Sequence, residues 1–375
     1  MRILSVAAYL SGDGSYGGPV SVALDQADAL QAAGHEVTLA AGWDGVAAPV
    51  SSARVRLFRA YKPLQKSFIG LVAPGLPLWV RKHTREFDVV HVHVTRDLVT
   101  LPAAEAARSR GVPVVLQTHG MIRPDASGLQ RLLDVLVTRR LFRGTGAFLA
   151  LTPHEEDDLR ALQVDDARVH RIDNGVPAAA ASATPPAQAP LVLYSSRLAD
   201  RKRPRAFVAA AEIVHRARPD ARFELWGPDG GELAAVRADI AARGLTDVCA
   251  YRGAASVDQA RAHLADASVF VLPSVAEPFP MALLEAFSAG LPAVITDRTG
   301  LSPVARETGA ACVTDGGPEE IAAQVLRLLD DPAFWTSTAT AARTLAEQRF
   351  TMPRIAERLV EVYGTCVGVP VGGAP

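Results

Sequence analysis

Apolar residues in this chain come in short runs that stop at Gly, Pro or small polar residues, with longer stretches of mixed polarity between them. Ile3 to Leu10, Glu36 to Gly42, Val55 to Ala60, Asp88 to Val94, Pro113 to Gly120 and Gly146 to Thr152 read as strands, with helices between several of them. Ser11 to Pro19 forms a glycine-rich loop, followed by a helix from about Val20 to Ala33 that Gly34 closes. Alternation of this kind predicts a parallel sheet. A further strand, Arg168 to Val176, ends in Asn174-Gly175-Val176, where Gly permits a sharp turn.

Ala178 to Pro190 is rich in Ala and Pro, a composition shift that marks a linker. Beyond it the pattern restarts. Strands are expected from Leu191, over Arg222 to Trp226, Val248 to Gly253, Ser268 to Leu272, Ala293 to Thr296 and Ala311 to Thr314. Helices are expected from Pro204 to about Arg218, Met281 to Ala289, Pro318 to Leu329, Pro332 to Gln348, and from Phe350-Thr351-Met352-Pro353 to about Tyr363.

At 375 residues the chain exceeds what one hydrophobic core usually organises. The expected division is a first domain over 1–177, a linker over 178–190, a second domain over 191–352, a helix over 353–367 and a disordered tail over 368–375. Both domains are α/β with doubly wound parallel sheets.

A formal net charge of −1 argues against a nucleic-acid surface and a strongly basic membrane-surface protein, and small-molecule partners fit better. Cys249, Cys312 and Cys366 are widely spaced and lack a metal-ligand pattern, which suits a reducing compartment and a cytoplasmic location. Ile3 to Leu10 is too short for a secretion signal, and no uninterrupted run reaches membrane-spanning length. Lys62 to Lys82 mixes apolar and basic residues, but Gly70, Pro74, Gly75 and Pro77 interrupt it, so burial is favoured over membrane contact.

Candidate chemistry concentrates in Glu277-Pro278-Phe279-Pro280-Met281-Ala282-Leu283-Leu284-Glu285. This stretch runs from the end of a buried strand into a helix, whose first N–H groups at the carboxyl edge of the sheet form an anion seat. Glu285, about one turn into the helix, suits a vicinal diol such as ribose; Glu277 stands before the helix, free to reach another group. Two carboxylates beside an anion site call for cations, and Arg197 and Lys202, where an apolar strand empties into a basic loop, suit a diphosphate.

Further candidates lie outside that stretch. Gly17 and Gly18, directly before a helix, allow close backbone approach to a phosphate or sugar. Gly227 sits in a glycine-rich turn after a strand. His119 ends a strand at the edge where an open α/β fold binds ligands. His91 and His93 alternate along a strand and face one way, which is read as packing, and Thr152-Pro153-His154-Glu155 reads as an N-cap, N1 proline and capping-box acid.

Two motifs in order, Ser196-Arg197-Leu198 with Lys202 and then Glu-Pro-Phe-Pro with Leu-Leu-Glu-Ala, resemble the retaining glycosyltransferases of the GT-B fold. This is family 4, glycosyl transferases group 1, which includes bacterial polysaccharide, glycogen and sucrose synthases. His119-Gly120-Met121-Ile122-Arg123-Pro124 is similar to the corresponding stretch of polysaccharide-building members.

The resemblance implies two Rossmann-like domains facing across a cleft, the second binding a nucleotide diphosphate sugar, with a UDP-sugar favoured, and the first offering the acceptor: a glycan, a lipid-linked glycan or a natural-product aglycone. It implies His119 against the donor sugar, Glu277 on the sugar hydroxyls, Glu285 on the ribose and the base held by main-chain atoms near Arg252. Phe279, Pro280, Met281, Ala282 and Leu283 complete the donor seat. Retention of configuration, and front-side attack in which a phosphate oxygen takes the acceptor proton, come from the resemblance alone, as does the packing of the last helix on the first domain.

The chain has no Asp-x-Asp triplet, and with cations at the leaving group neither a metal nor another cofactor is expected. Three departures stand out, one of them Leu301-Ser302-Pro303-Val304 in place of the common Leu-Pro-Glu-Ile type of segment. Pro177 follows Asn-Gly-Val where relatives carry Asp, and Ser196 stands where many have Gly. The rivals are a sugar-nucleotide epimerase of the same plan, which would isomerise UDP-GlcNAc without an acceptor, and a non-catalytic binding protein, whose motifs should be eroded.

Overall fold

The computed structural model describes residues 1–10, 18–46, 51–61, 70–122, 124, 138–179, 181–186, 188–255, 257–275 and 277–368. Two compact units emerge, one formed by Met1–Gly175 together with Met352–Pro375, the other by Val176–Thr351.

Among its described residues unit 1 holds seven parallel strands, β1 (Arg2–Leu10), β2 (Glu36–Trp43), β3 (Arg54–Arg59), β4 (Val89–His93), β5 (Val114–Gln117), β6 (Ala147–Ala150) and β7 (Val169–Arg171). They lie in the order β3-β2-β1-β4-β5-β6-β7. Every residue of β4, β5 and β6 is buried, as in parallel strands covered on both faces. Alternation along β1 and β4 sends Leu4, Val6, Val90 and Val92 to one core with helices Gly75–His83 and Thr100–Arg108. Ile3, Ala7 and Val89 go to the other, with helices Gly18–Ala32 and Met352–Val367.

The last helix carries its buried residues at helical spacing, Met352, Ile355, Ala356, Leu359, Val362 and Tyr363 among them. Each large apolar side chain so buried is worth about 1.5–3 kcal/mol at most, so four of them rival the roughly 5–15 kcal/mol net stability of a whole domain. This helix is therefore structural for unit 1.

Residues 62–69 of the apolar and basic segment lie outside the described residues. In helix Gly75–His83, Leu76 and Val80 are buried, Trp79 stacks on His83 with centroids 5.0 Å apart, and Leu78 is exposed. Among the described residues no helix is long and apolar enough to cross a membrane.

Among its described residues unit 2 holds six parallel strands, β8 (Leu191–Ser195), β9 (Arg222–Trp226), β10 (Cys249–Gly253), β11 (Val269–Leu272), β12 (Ala293–Thr296) and β13 (Ala311–Thr314). Their order is β10-β9-β8-β11-β12-β13. Helices Pro204–Ala217, Leu233–Ala242 and Pro318–Asp330 cover one face, and Met281–Ser288 with much of Pro332–Arg349 covers the other.

The described residues of 178–190, read above as a linker, belong to unit 2. The Ala183 N–H donates to the Ala289 carbonyl at 2.8 Å, the Ala179 N–H to Ser288 Oγ at 3.0 Å, and Ser288 Oγ to the Pro177 carbonyl at 3.1 Å. Backbone groups pinned in this way leave little of a free connector, and the unit boundary falls at Gly175. Of the expected tail over 368–375, residues 369–375 lie outside the described residues.

Each sheet reverses its winding once, between β1 and β4 in unit 1 and between β8 and β11 in unit 2. Loops leaving the carboxyl ends of those strands are where open α/β sheets take ligands.

Candidate active site

In unit 2 the switch-point strands supply the central pair. After β8 the chain passes Ser196 and Arg197 into a short turn, Asp200–Lys202; after β11 it reaches Glu277 before helix Met281–Ser288. Lys202 Nζ donates to Glu277 Oε2, and Arg201 NH1 donates to the same oxygen at 3.3 Å. Glu277 is 8% exposed and its side chain and that of Lys202 are nearly closed off from solvent, whereas Arg197 and Arg201 are exposed. Burial lowers the Lys202 ammonium from its ordinary value, the Glu277 charge and hydrogen bond raise it, and Arg201 and Arg197 lower it again, for a net downward shift. The arrangement is a cationic cluster with one carboxylate inside it.

The loop carrying Glu277 is itself fixed. Glu277 bridges Thr299 in parallel fashion, and its carbonyl accepts the Gly300 N–H at 2.8 Å. Pro280 is the N-cap of the following helix and makes no side-chain cap bond, so no side chain of its own competes for the N–H groups of Met281 and Ala282. Leu283 is buried, and its N–H turns back to the Pro280 carbonyl at 3.1 Å. Phe279 packs edge-on to Phe350 with centroids 6.1 Å apart, which anchors the turn to the core.

Glu285 has a partner that sequence reading missed. Its Oε1 lies 3.4 Å from Arg261 Nε on helix Val257–Asp266. Arg252 pairs through its side chain with Glu224, NH2 to Oε1 at 2.8 Å, and Glu224 Oε2 also takes the Trp226 indole N–H at 2.9 Å. Gly227 has φ +141, and a Cβ there would stand 2.0 Å from the Ser196 carbonyl oxygen. Its lack of a side chain is thus explained by close approach of the two loops; its N–H is taken by the Gly253 carbonyl at 2.8 Å.

In unit 1 Gly18 opens helix Gly18–Ala32, while Gly17 lies outside the described residues. His119 follows β5, which stops at Gln117 instead of running to Gly120 because His119 and Gly120 turn left-handed, with φ 50 and 67. His119 Nε2 lies 2.9 Å from His93 Nδ1, the rings stacked with centroids 5.2 Å apart. His91 Nδ1 lies 2.8 Å from the Tyr363 hydroxyl. Burial lowers His119 and His91 to about 3 and His93 well below its ordinary value, so all three rings are neutral at pH 7. The alternating His91 and His93 are packed, as expected, and His93 also steadies His119.

The Thr152 turn caps its helix, since Thr152 Oγ1 accepts the Glu155 N–H at 3.2 Å. The carboxylate of Glu155 does something else. In a capping box it would return to the Thr152 N–H, whereas here it accepts the N–H groups of Leu151 and Gly120, both at 2.7 Å, and the Thr118 hydroxyl. Nothing in the local pattern signals the link to Gly120. Among the described residues no group of three or more His, Cys, Asp or Glu is placed to hold a metal ion.

Residues 17–175 match the model for the glycosyl transferase 4-like domain, and residues 178–345 match that for glycosyl transferases group 1. The chain belongs to the group 1 glycosyltransferases. This glycosyltransferase is 28% identical over 322 residues to alpha-D-kanosaminyltransferase of Streptomyces kanamyceticus, covering 79% of this chain and 83% of the relative. It is 27% identical over 319 residues to D-inositol 3-phosphate glycosyltransferase of an Arthrobacter species, covering 77% and 75%. The crystal structure of Anabaena HepE in complex with UDP and glucose superposes with a TM-score of 0.74 at 19% identity, over 96% of this chain and 98% of that one. The GT-B glycosyltransferase fold anticipated from the two motifs is the fold observed.

Proposed function

We propose that this glycosyltransferase moves a sugar from a nucleotide diphosphate sugar, a UDP-sugar first among them, to a hydroxyl of a glycan, lipid-linked glycan or natural-product acceptor, retaining the anomeric configuration and without a metal. The observation that carries the reading is the Lys202 and Arg201 pairing with Glu277 at the switch point of unit 2. When the anomeric carbon leaves, the electron pair of its bond to oxygen stays on the diphosphate, and preorganised cations and amides at that oxygen lower the barrier.

Lys202, Arg197 and the N-terminus of helix Met281–Ser288 are assigned to the diphosphate. Lys202 has three N–H donors, so it can keep Glu277 and still reach a phosphate oxygen. Glu277 is assigned to the sugar hydroxyls, Glu285 to the ribose, and His119 to the donor sugar. The acceptor oxygen bonds to the anomeric carbon on the face the diphosphate leaves, and its proton goes to a phosphate oxygen of the leaving group. Gly17, Gly18, Gly227 and the main chain at Arg252 remain assigned to the donor.

HepE was crystallised with UDP and glucose, which makes UDP-glucose the first probe. A thermal-shift screen of UDP, GDP and ADP with their sugars identifies the donor, because a specific ligand raises the melting temperature by mass action. Turnover of that donor is then followed with and without EDTA, and the anomeric configuration of the product by NMR. Activity that disappears in EDTA and returns with manganese overturns the metal-free reading; an inverted product overturns retention.

A further inference from the structure

We infer that Glu155 is a positioning residue for His119, gripping the backbone on either side of it so that the imidazole keeps one orientation. The inference rests on the role proposed above for His119. Glu155 is 3% exposed and sits in the first turn of helix Pro153–Ala161. Its Oε1 accepts the Thr118 hydroxyl and the Gly120 N–H, the residues immediately before and after His119, and its Oε2 accepts the Leu151 N–H at the end of β6.

This is more than capping requires, because the helix already has Thr152 for that task. Left-handed backbone is disfavoured for any residue with a Cβ, and His119 holds it at φ 50 with Gly120 following at φ 67. Gly120 adopts this conformation freely, but His119 does not, and the buried carboxylate that holds the backbone on both sides of it is its anchor. Burial raises the carboxyl group's affinity for a proton, while the bonds from Thr118, Leu151 and Gly120 favour the anion. On the ring side His93 completes the grip at 2.9 Å from His119 Nε2. Backbone and imidazole are held by different residues.

Both carboxylate oxygens accept a backbone N–H, so a glutamine cannot replace the group. Whichever way its amide turns, an NH2 faces an N–H and one bond is lost. Glu155→Gln keeps size and shape while releasing one side of the clamp.

Glu155→Gln, His119→Ala and the double variant are compared for release of UDP from UDP-glucose with water taking the glucosyl group, or of the corresponding nucleotide if another donor is selected, with thermal midpoints in parallel. Glu155→Gln is expected to lower kcat about 10- to 100-fold, since small misplacement of a reacting group has effects of that order. The donor KM should move less than about threefold, and the double variant should be no slower than His119→Ala alone. Losses that multiply in the double variant, or a Glu155→Gln enzyme with full kcat, overturn the inference and leave the role of His119 intact. Full turnover by His119→Ala overturns both. If Glu155→Gln does not fold, Thr118→Val removes one donor from the clamp, and its smaller loss of kcat should likewise vanish in the His119→Ala background; persistence there overturns the inference.

Discussion

The carboxyl edges of the two sheets are built on opposite electrostatic plans. Around His119 in unit 1, the groups that set the site are neutral imidazoles and a buried carboxylate saturated by backbone and hydroxyl donors. Around Glu277 in unit 2 they are ion pairs, Lys202 and Arg201 with Glu277, and Arg261 with Glu285. The same winding of strands and helices therefore supports one edge that fixes shape and another that manages charge. The assignment proposed above follows this difference, with the two phosphates of the donor at the second edge and an uncharged sugar hydroxyl at the first.

The sharpest test of this contrast is Lys202→Ala. It removes the largely buried cation and leaves Arg201 as the remaining cation on Glu277 among the described residues, and turnover of the donor is expected to fall about 10²- to 10³-fold. Activity within a few-fold of the parent protein would mean that charge management does not lie there.

The next largest effect is on stability against pH, and it belongs to unit 1. His91, His93 and His119 are held below their ordinary pKa in the folded protein, so the unfolded chain binds the extra protons first. Stability is full above about pH 6.5 and declines as pH falls towards 3, by about 1.4 kcal/mol per pH unit for each proton involved. Asp97 and Glu155, raised by burial, act in the opposite sense, so the histidine contribution is read as the difference between the parent protein and a histidine variant over about pH 6.5 to 5.5. Urea denaturation across that range should show a shallower slope for His91→Phe, and an unchanged slope would remove the neutral-histidine half of the contrast.

The alternation of strands and helices and the GT-B family motifs were readable from the residues alone, because buried parallel strands appear as uninterrupted apolar runs and each of the two motifs, Arg197 with Lys202 and Glu277 with Glu285, sits within one short stretch of sequence. What escaped was set by tertiary register. Arg261 meets Glu285 only because helix Val257–Asp266 packs with a particular face towards helix Met281–Ser288. Glu155 looked like an ordinary helix-start acid, since its second partner, Gly120, comes from a different strand end. The short β5 depended on positive φ at His119, a conformation that histidine does not announce.

Arg261→Ala tests the first of these. Losing the partner of Glu285 should raise the donor KM by up to about tenfold, worth about 1.4 kcal/mol, with little change in kcat. A fall in kcat with KM unchanged would place Glu285 in the chemical step instead. The smallest effect serves as a control. Thr152→Ala in unit 1 and Asp331→Ala in unit 2 each remove a helix cap, and each should reduce stability by about 1 kcal/mol with kcat unchanged. A large difference between them would show that the units differ in more than their edges.

Unit 1 is assembled from two separated pieces of chain, and this has a consequence for biosynthesis. Ile355, Leu359, Val362 and Tyr363 leave the ribosome only after the whole of Val176–Thr351 has been made. At about 5–20 residues per second, the apolar surface around Ile3, Leu39 and Val115 waits on the order of ten to thirty seconds for its cover. A nascent chain stalled before residue 352 should therefore be a chaperone client, whereas the intervening unit, continuous in sequence, can fold as soon as it emerges.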